Sequence, residues 1–278
     1  MGWEDIDLNY GSCDHDFNDL LMTLTADPGS IITDIITEIE VPETSEDSDG
    51  DGVIDILDDF PDDATLATNN VYPSEGGLFT VTCEDLYPAV GDGDYNDLVI
   101  NAELHEMANA DGDIAGLRGG IFVSARGAGY DHEFHLNIEG AGAGSWTITT
   151  FDPGGATVST VSGTNTGADL DLTIWDSTRD ALSAWNTTPA EVNSIAQGQW
   201  VRWAFTPDTP VSSDDLQIAP YDPYLYVKNT GYDIHQVGFD PIAGSTVPAG
   251  EDYINDQGYP WCLVVPNQWN FPQESVLI

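Results

Sequence analysis

Basic residues are almost missing from this chain. Across 278 residues there is one lysine, Lys228, and four arginines against 49 aspartates and glutamates, a formal charge of −44 with histidine neutral. That balance excludes nucleic acid and anionic membranes as electrostatic partners. Cysteine is scarce and odd in number, at Cys13, Cys83 and Cys262, with no Cys-x-x-Cys pair. Neither a zinc site nor a disulfide framework is indicated, and one disulfide with one thiol left over stays open. No apolar run reaches the ~18 residues of a membrane span, and the opening MGWEDI lacks the basic and apolar regions of an export signal. Because an acidic motif begins as early as Trp3, the expectation is a mature fragment whose upstream strand and export signal are missing.

What the chain does contain argues for a folded protein. Disorder is the usual fate of so acidic a sequence, yet 41% of residues are apolar and 8 Trp, 11 Tyr and 9 Phe are available for a core. Two compatible routes stabilise a compact state at this charge. One is multivalent cations bound at specific sites, and the other is a saline medium that screens repulsion over a few ångströms.

The acids are clustered, which favours sites. One box occurs twice, as WEDIDLNYGSCDHDFNDLLM from Trp3 and CEDLYPAVGDGDYNDLVI from Cys83. Each copy has a Glu-Asp pair, a short loop, an Asp-x-Asp-x-Asn-Asp cluster and an apolar run. Carboxylates this close repel one another unless a cation lies between them. In the second copy Asp92, Asp94 and Asn96 place oxygens at alternating positions on a turn tightened by Gly91 and Gly93, with Glu84 and Asp85 folding back and Asp97 opening the return strand. In the first copy Asp14, Asp16, Asn18 and Asp19 take those places, closed by Glu4 and Asp5. Phe17 and Tyr95, between the donors, are expected to point into the core. The alternative for both boxes is a metal-free hairpin capped by Asx turns.

DSDGDGVIDILD, from Asp47 to Asp58, is the strongest motif. Asp47, Asp49 and Asp51, Gly52 for a left-handed turn, the carbonyl of Val53, then Asp55 and Asp58 follow the twelve-residue oxygen cage of a calcium loop. The terminal Asp58 reaches less far than glutamate, so Asp59 is a substitute candidate. NADGDIAG (109–116) and the group Asp252, Asn255 and Asp256 read instead as acidic surface loops.

Around these motifs the chain divides into 1–41, a partial acidic hairpin segment; 42–69, the calcium loop; and 70–278, a β-rich domain. Within the first, SIITDIITEIEV (30–41) suits a helix or a strand equally. In the third, LFTVTC, DLVINAEL, GGIFVSA, HEFHLNI, SWTITTF, DLTIW, WVRWAF, YLYV and WCLVV read as short strands between turn residues. The predicted fold is all-β, an antiparallel sandwich or jelly roll with an EF-hand-like calcium loop insert. One short helix is expected from the capping box Thr188-Pro189-Ala190-Glu191 to Gly198.

Catalytic signatures are lacking. The histidines are dispersed, and His132 and His135, three apart in a strand, point to opposite faces. There is no Gly-x-Ser-x-Gly elbow and no phosphate-cradling loop. A non-enzymatic protein is expected.

Taken together, DSDGDGVIDILDDFPDDATLAT, VYPSEGGLFTVTCEDLYPAVGDGDYNDLVINAEL, RGGIFVSARGAGYDHEFHLNI, PYDPYLYV with YDIHQVGF, and GYPWCLVVPNQWNFPQESV resemble the LruC-domain surface proteins of bacteria and archaea, with a thrombospondin type three calcium repeat. The likeness covers roughly residues 45–275. It implies an exported, often lipid-anchored or cell-surface β-rich protein without assigned enzymatic activity. It carries calcium binding onto Asp47, Asp49, Asp51, Asp55 and Asp58, and more loosely an acidic hairpin role onto Glu84, Asp85, Asp94, Asn96 and Asp97. The chain departs from the family pattern at Cys83, Tyr87 and Asp233, and it stops soon after Glu274, where the family continues. The expected function is thus a calcium-stabilised structural or adhesion module, secreted or at the cell surface. Its partners would be calcium ions and either identical subunits or cell-surface components, without direct membrane insertion. The alternatives are a filament or layer subunit joined through strand edges, and a glycan-binding module using some of Trp146, Trp175, Trp185, Trp200, Trp203, Trp261 and Trp269.

Overall fold

Alternation of apolar and polar residues over short runs, punctuated by Gly, Asn, Asp and Pro, produces strands from Thr68 onward. The computed structural model describes residues 46–188 and 198–276. The first acidic box, with Glu4, Asp5, Asp14, Asp16, Asn18 and Asp19, lies outside the described residues, as do SIITDIITEIEV and the body of the short helix expected after Thr188. The strands are β1 (Thr68–Tyr72), β2 (Phe79–Cys83), β3 (Leu98–Ala108), β4 (Ile114–Ala125), β5 (His132–Ile138), β6 (Gly144–Phe151), β7 (Thr157–Asn165), β8 (Leu170–Trp175), β9 (Trp200–Pro207), β10 (Asp222–Val227), β11 (Tyr232–Ile234) and β12 (Cys262–Val265). A single turn of helix, α1 (Thr178–Ala181), is capped by Ser177, whose Oγ accepts from the Asp180 N–H.

Among the described residues all strand pairings are antiparallel, in two sheets. The larger runs β12-β2-β3-β4-β9-β6-β7, and β1 continues the line of β2 along the same edge of β3. The smaller runs β11-β10-β5-β8. The arrangement is sandwich-like, as the strand pattern predicts. Leu98, Ile100 and Leu104 of β3, Leu117 and Ile121 of β4, and Val201, Trp203 and Phe205 of β9 share one core with Phe134, Leu136 and Ile138 of β5, Leu172 of β8, and Leu225 and Val227 of β10. Alternate residues of these strands enter that core, the period of a strand with one buried face.

Two features position the acidic hairpin. The disulfide Cys83–Cys262 joins the end of β2 to β12 across 179 residues of sequence. On the opposite face of the large sheet, Val99 and Ala125 pack with Phe271 and Trp269. That small apolar patch draws residues 267–276 over the start of β3. Thr80 secures the covering segment: its Oγ donates to the Asn267 carbonyl and accepts from the Trp269 N–H, both at 2.9 Å.

Candidate metal centres

The β2–β3 connection holds the first centre. Glu84 follows Cys83, and its N–H donates to the Trp261 carbonyl, so the strand end is fixed from two sides. Its side chain folds back under the loop. Oε1 accepts from the Tyr95 N–H at 2.6 Å, and Oε2 accepts from the Gly93 N–H at 3.4 Å. A Cβ at Gly91 would stand 2.3 Å from Glu84 Oε2, so any larger residue there would have to displace this carboxylate. Tyr95 adopts a left-handed backbone (φ 52°), a costly state for a side-chain-bearing residue. The bond from Glu84, the Tyr95 hydroxyl on the Pro260 carbonyl and the Thr82 hydroxyl on the Tyr95 carbonyl hold it in place.

The result brings Glu84, Asp92 and Asp94 together, each placing one carboxylate oxygen within 4.8 Å of the others. Glu84 and Asp94 are buried, at 4% and 1% exposure, and Asp92 faces out. The tail seals the far side. Asp94 Oδ2 accepts from the Ser275 N–H at 2.6 Å, and the Ser275 hydroxyl lies 3.3 Å from Asp92 Oδ2. Burial pushes Glu84 up to about 7, with Asp94 and Asp92 adding repulsion and the Tyr95 and Gly93 amides opposing. Asp94 is likewise pushed up to about 6 by burial, then by Asp92 and Glu274, against the Ser275 and Asn96 amides. Asn96 is fully buried; its Nδ2 donates to the Pro272 carbonyl at 3.3 Å, while its Oδ1 has no partner.

Asp85 and Asp97 take other positions. Asp97 Oδ2 accepts from the Asp85 N–H at 2.9 Å, and burial followed by the charges of Asp85 and Glu84 raises the Asp97 carboxyl above its ordinary range. Asp85 Oδ2 lies 2.9 Å from His132 Nε2, whose Nδ1 lies 3.1 Å from the Thr178 hydroxyl. His132 therefore points into the sandwich, whereas His135 stacks on Tyr224 at 4.7 Å on the other face, as their spacing predicts. Sequence patterning offered no sign of His132 or Ser275 beside the acidic loop. Their registration depends on β5 and on the returning tail.

The second centre is the loop Asp47–Asp58. Gly50 and Gly52 occupy left-handed backbone (φ 80° and 102°) that lets the chain reverse. Asp47 accepts from the Gly50 and Gly52 amides at 2.7 and 3.1 Å, Asp49 from Asp51 at 3.2 Å, and Asp51 from Val53 at 2.7 Å. Asp47, Asp49 and Asp51 converge to within 4.8 Å. The second oxygens of Asp49, Asp51 and Asp58 are buried without a hydrogen-bond partner, and Asp58 as a whole is 8% exposed. Burial first, then the charges of Asp51, Asp58 and Asp47, raises the Asp49 carboxyl. Asp55 is engaged by Ser48, whose N–H and hydroxyl each donate to it at 2.7 Å. Asp59 anchors the loop to β1 by accepting from the Asn69 N–H at 2.7 Å.

Both centres offer only oxygen, from carboxylates and, at the hairpin, the adjoining Asn96 amide, the donor set of a hard cation. Among the described residues no Lys, Arg or His forms an ion pair with Glu84, Asp92, Asp94, Asp47, Asp49, Asp51 or Asp58. The weaker acidic groups are turns. Asn109 Oδ1 accepts from Asp111 and Asp113, and Asn255 Oδ1 accepts from Gln257 and Tyr259.

No curated protein and no solved structure matches this chain. A family model does, beginning in the β3–β4 turn and taking in the tail that closes on Asp94. By that match, over residues 112–278 and thus more than half of its length, the chain belongs to the family described as a domain of unknown function, DUF4842.

Proposed function

We propose that this protein is a non-catalytic calcium-binding module of the cell exterior, with a structural or adhesive role. The observation that carries the reading is the convergence of Glu84, Asp92 and Asp94 in a largely buried site with no protein cation paired to them among the described residues. Two buried carboxylates in contact raise the free energy of the fold unless a cation neutralises them. The loop around Asp49 supports the reading independently, because three of its carboxylate oxygens are buried and unpaired. Asp47, Asp49, Asp51 and Asp58 are the proposed ligands there, and Glu84, Asp92 and Asp94, with Asn96 adjoining, are those of the hairpin. Calcium suits such irregular, many-oxygen sites, whereas magnesium demands a strict octahedron and keeps its waters.

Placement outside the cell rests on the motif likeness to LruC-domain surface proteins and on the Cys83–Cys262 disulfide, which belongs to oxidising compartments. Among the described residues no helix is long and apolar enough to cross a membrane. The non-catalytic reading rests on burial. Asp85, His132 and Thr178 form a hydrogen-bonded chain in the order of a catalytic triad, but His132 and Thr178 are fully buried, out of a substrate's reach.

Calorimetric melting in excess calcium, against chelator at matched ionic strength, tests the proposal. At about a hundredfold excess over Kd a site stabilises by about 2.7 kcal/mol, which for a chain of this size raises the melting temperature by roughly 5–10 °C. An unchanged melting temperature overturns it. The filament alternative has one supporting observation: among the described residues β7 is an edge strand with no neighbour on its outer side, and Val158 and Val161 are exposed on it. Light scattering that finds only monomer in calcium removes that alternative.

A further inference from the structure

We propose that the open face of the large sheet binds a carboxylated saccharide in a groove built by β3, β4, β9 and β6. In a chain with five basic side chains, three are engaged internally. Arg126 donates to the carbonyls of Leu182, Ala128 and Ser183, Arg179 donates to that of Gly129, and Lys228 lies near Asp131 and Glu133. Among the described residues the guanidinium groups of the other two, Arg118 and Arg202, have neither a hydrogen bond nor an ion pair, in a chain with 49 acids. Both line the same cavity, of about 740 Å³. That volume lies within the range of pockets that bury a small ligand.

Strand register explains how the groove forms. Three outward rows cross the sheet. Phe122, Trp200 and Phe151 are paired neighbours and stack, Phe122 on Trp200 at 6.0 Å and Phe151 on Trp200 at 4.0 Å, making an aromatic wall. The next row is Glu103, Gly120, Arg202 and Thr149, and the one after is His105, Arg118, Ala204 and Thr147. Gly120 and Ala204 leave a low floor between taller neighbours. Arg202 is held against the wall, 5.1 Å from the Trp200 ring and 5.6 Å from that of Phe151, so its fork is oriented before any ligand arrives. Arg118 and Arg202 occupy diagonal positions on adjacent strands, an arrangement of like charges that calls for an anion.

The surroundings select the class of anion. Arginine forks match a planar carboxylate. An acidic peptide needs little more than the two arginines, but this groove is also bordered by the stacked rings of Phe122 and Trp200, an apolar surface along which a sugar ring can lie. Glu103, one oxygen of which holds His105 at 2.8 Å, and the hydroxyls of Thr147 and Thr149, each with one bond to a β7 hydroxyl, keep further capacity for sugar hydroxyls. The calcium centres contribute nothing to it.

Isothermal titration of the whole protein in calcium-replete buffer tests the proposal, with a glucuronate-containing hyaluronan tetrasaccharide as the probe. Its carboxyl-reduced form is the neutral control and a hexa-aspartate peptide the competing anion. The expected result is binding of the acidic sugar at least about tenfold tighter than of either other probe. R118Q and R202Q each weaken it about tenfold or more. G120V fills the floor, its Cβ meeting nothing nearer than the Phe122 ring at 3.6 Å, and it abolishes binding. All three variants keep the wild-type melting temperature and calcium response. Absence of binding, equal affinity for the reduced sugar, preference for the peptide, or binding untouched by the three substitutions overturns the proposal, whatever the outcome of the calcium experiment.

Discussion

His235 illustrates how a charge is kept inside so acidic a molecule. It is fully buried, with Nδ1 2.6 Å from Asp222 Oδ2 of β10 and Nε2 3.0 Å from Asp233 Oδ2 of β11. Its ring stacks on Tyr224 at 4.3 Å and meets Tyr253 at 5.3 Å. Burial opposes the charged ring, but the hydrogen bonds and charges of Asp222 and Asp233 outweigh it and push the histidine up to about 9. A pKa raised on folding contributes stability in full below the unfolded value of about 6.5, and that contribution fades as pH rises through 9. We therefore expect the wild type to lose on the order of a few kcal/mol between pH 7 and pH 10 beyond any loss in H235Q. Parallel melting-against-pH curves would refute the assignment. At Asp94 the expectation has two signs. D94N removes one of the proposed calcium oxygens and is expected to weaken calcium binding about tenfold, roughly 1.4 kcal/mol. In chelator it melts no lower than wild type, because it also removes a buried like charge beside Glu84. Titration calorimetry and melting of the same variant read the two effects separately.

At the scale of elements, the hairpin depends on its fastenings. β2 and β12 are short, and the disulfide between them closes a long loop. Loss of such a bridge costs roughly 2–5 kcal/mol, so C83A/C262A is expected to melt on the order of 10 °C lower and to bind calcium more weakly, because Glu84 is the next residue. An unchanged melting temperature would show that register alone aligns the strands. The nine strands read from the sequence are all present, since each has an apolar face to bury or a β-branched and aromatic run. β1, β7 and β11 were not legible, for separate reasons. β7, TVSTVSGTN, has no buried face and is a strand because β6 offers a free edge. TNNVY owes its place to pairing with the far half of β3, and YDI is three residues long.

At the scale of the molecule, the charge of −44 acts on every site at once. In chelator, added sodium chloride is expected to raise the melting temperature steadily by screening repulsion among exposed carboxylates, and the further gain from calcium should shrink as salt rises. A calcium increment independent of salt would mean that local coordination alone governs stability. Composition and spacing by themselves determined the class of fold and the oxygen-rich character of both acidic motifs, because those properties are local or additive along the chain. Which carboxylates meet was decided only in three dimensions. Asp85 was drawn to His132 and Asp55 to Ser48, while Ser275 reached Asp94 across 181 positions. The two unpaired arginines came to share one groove in the same way, through the register of β4 against β9. Long-range pairing sets such meetings, and no periodicity within a single strand encodes which partner a neighbouring strand will bring.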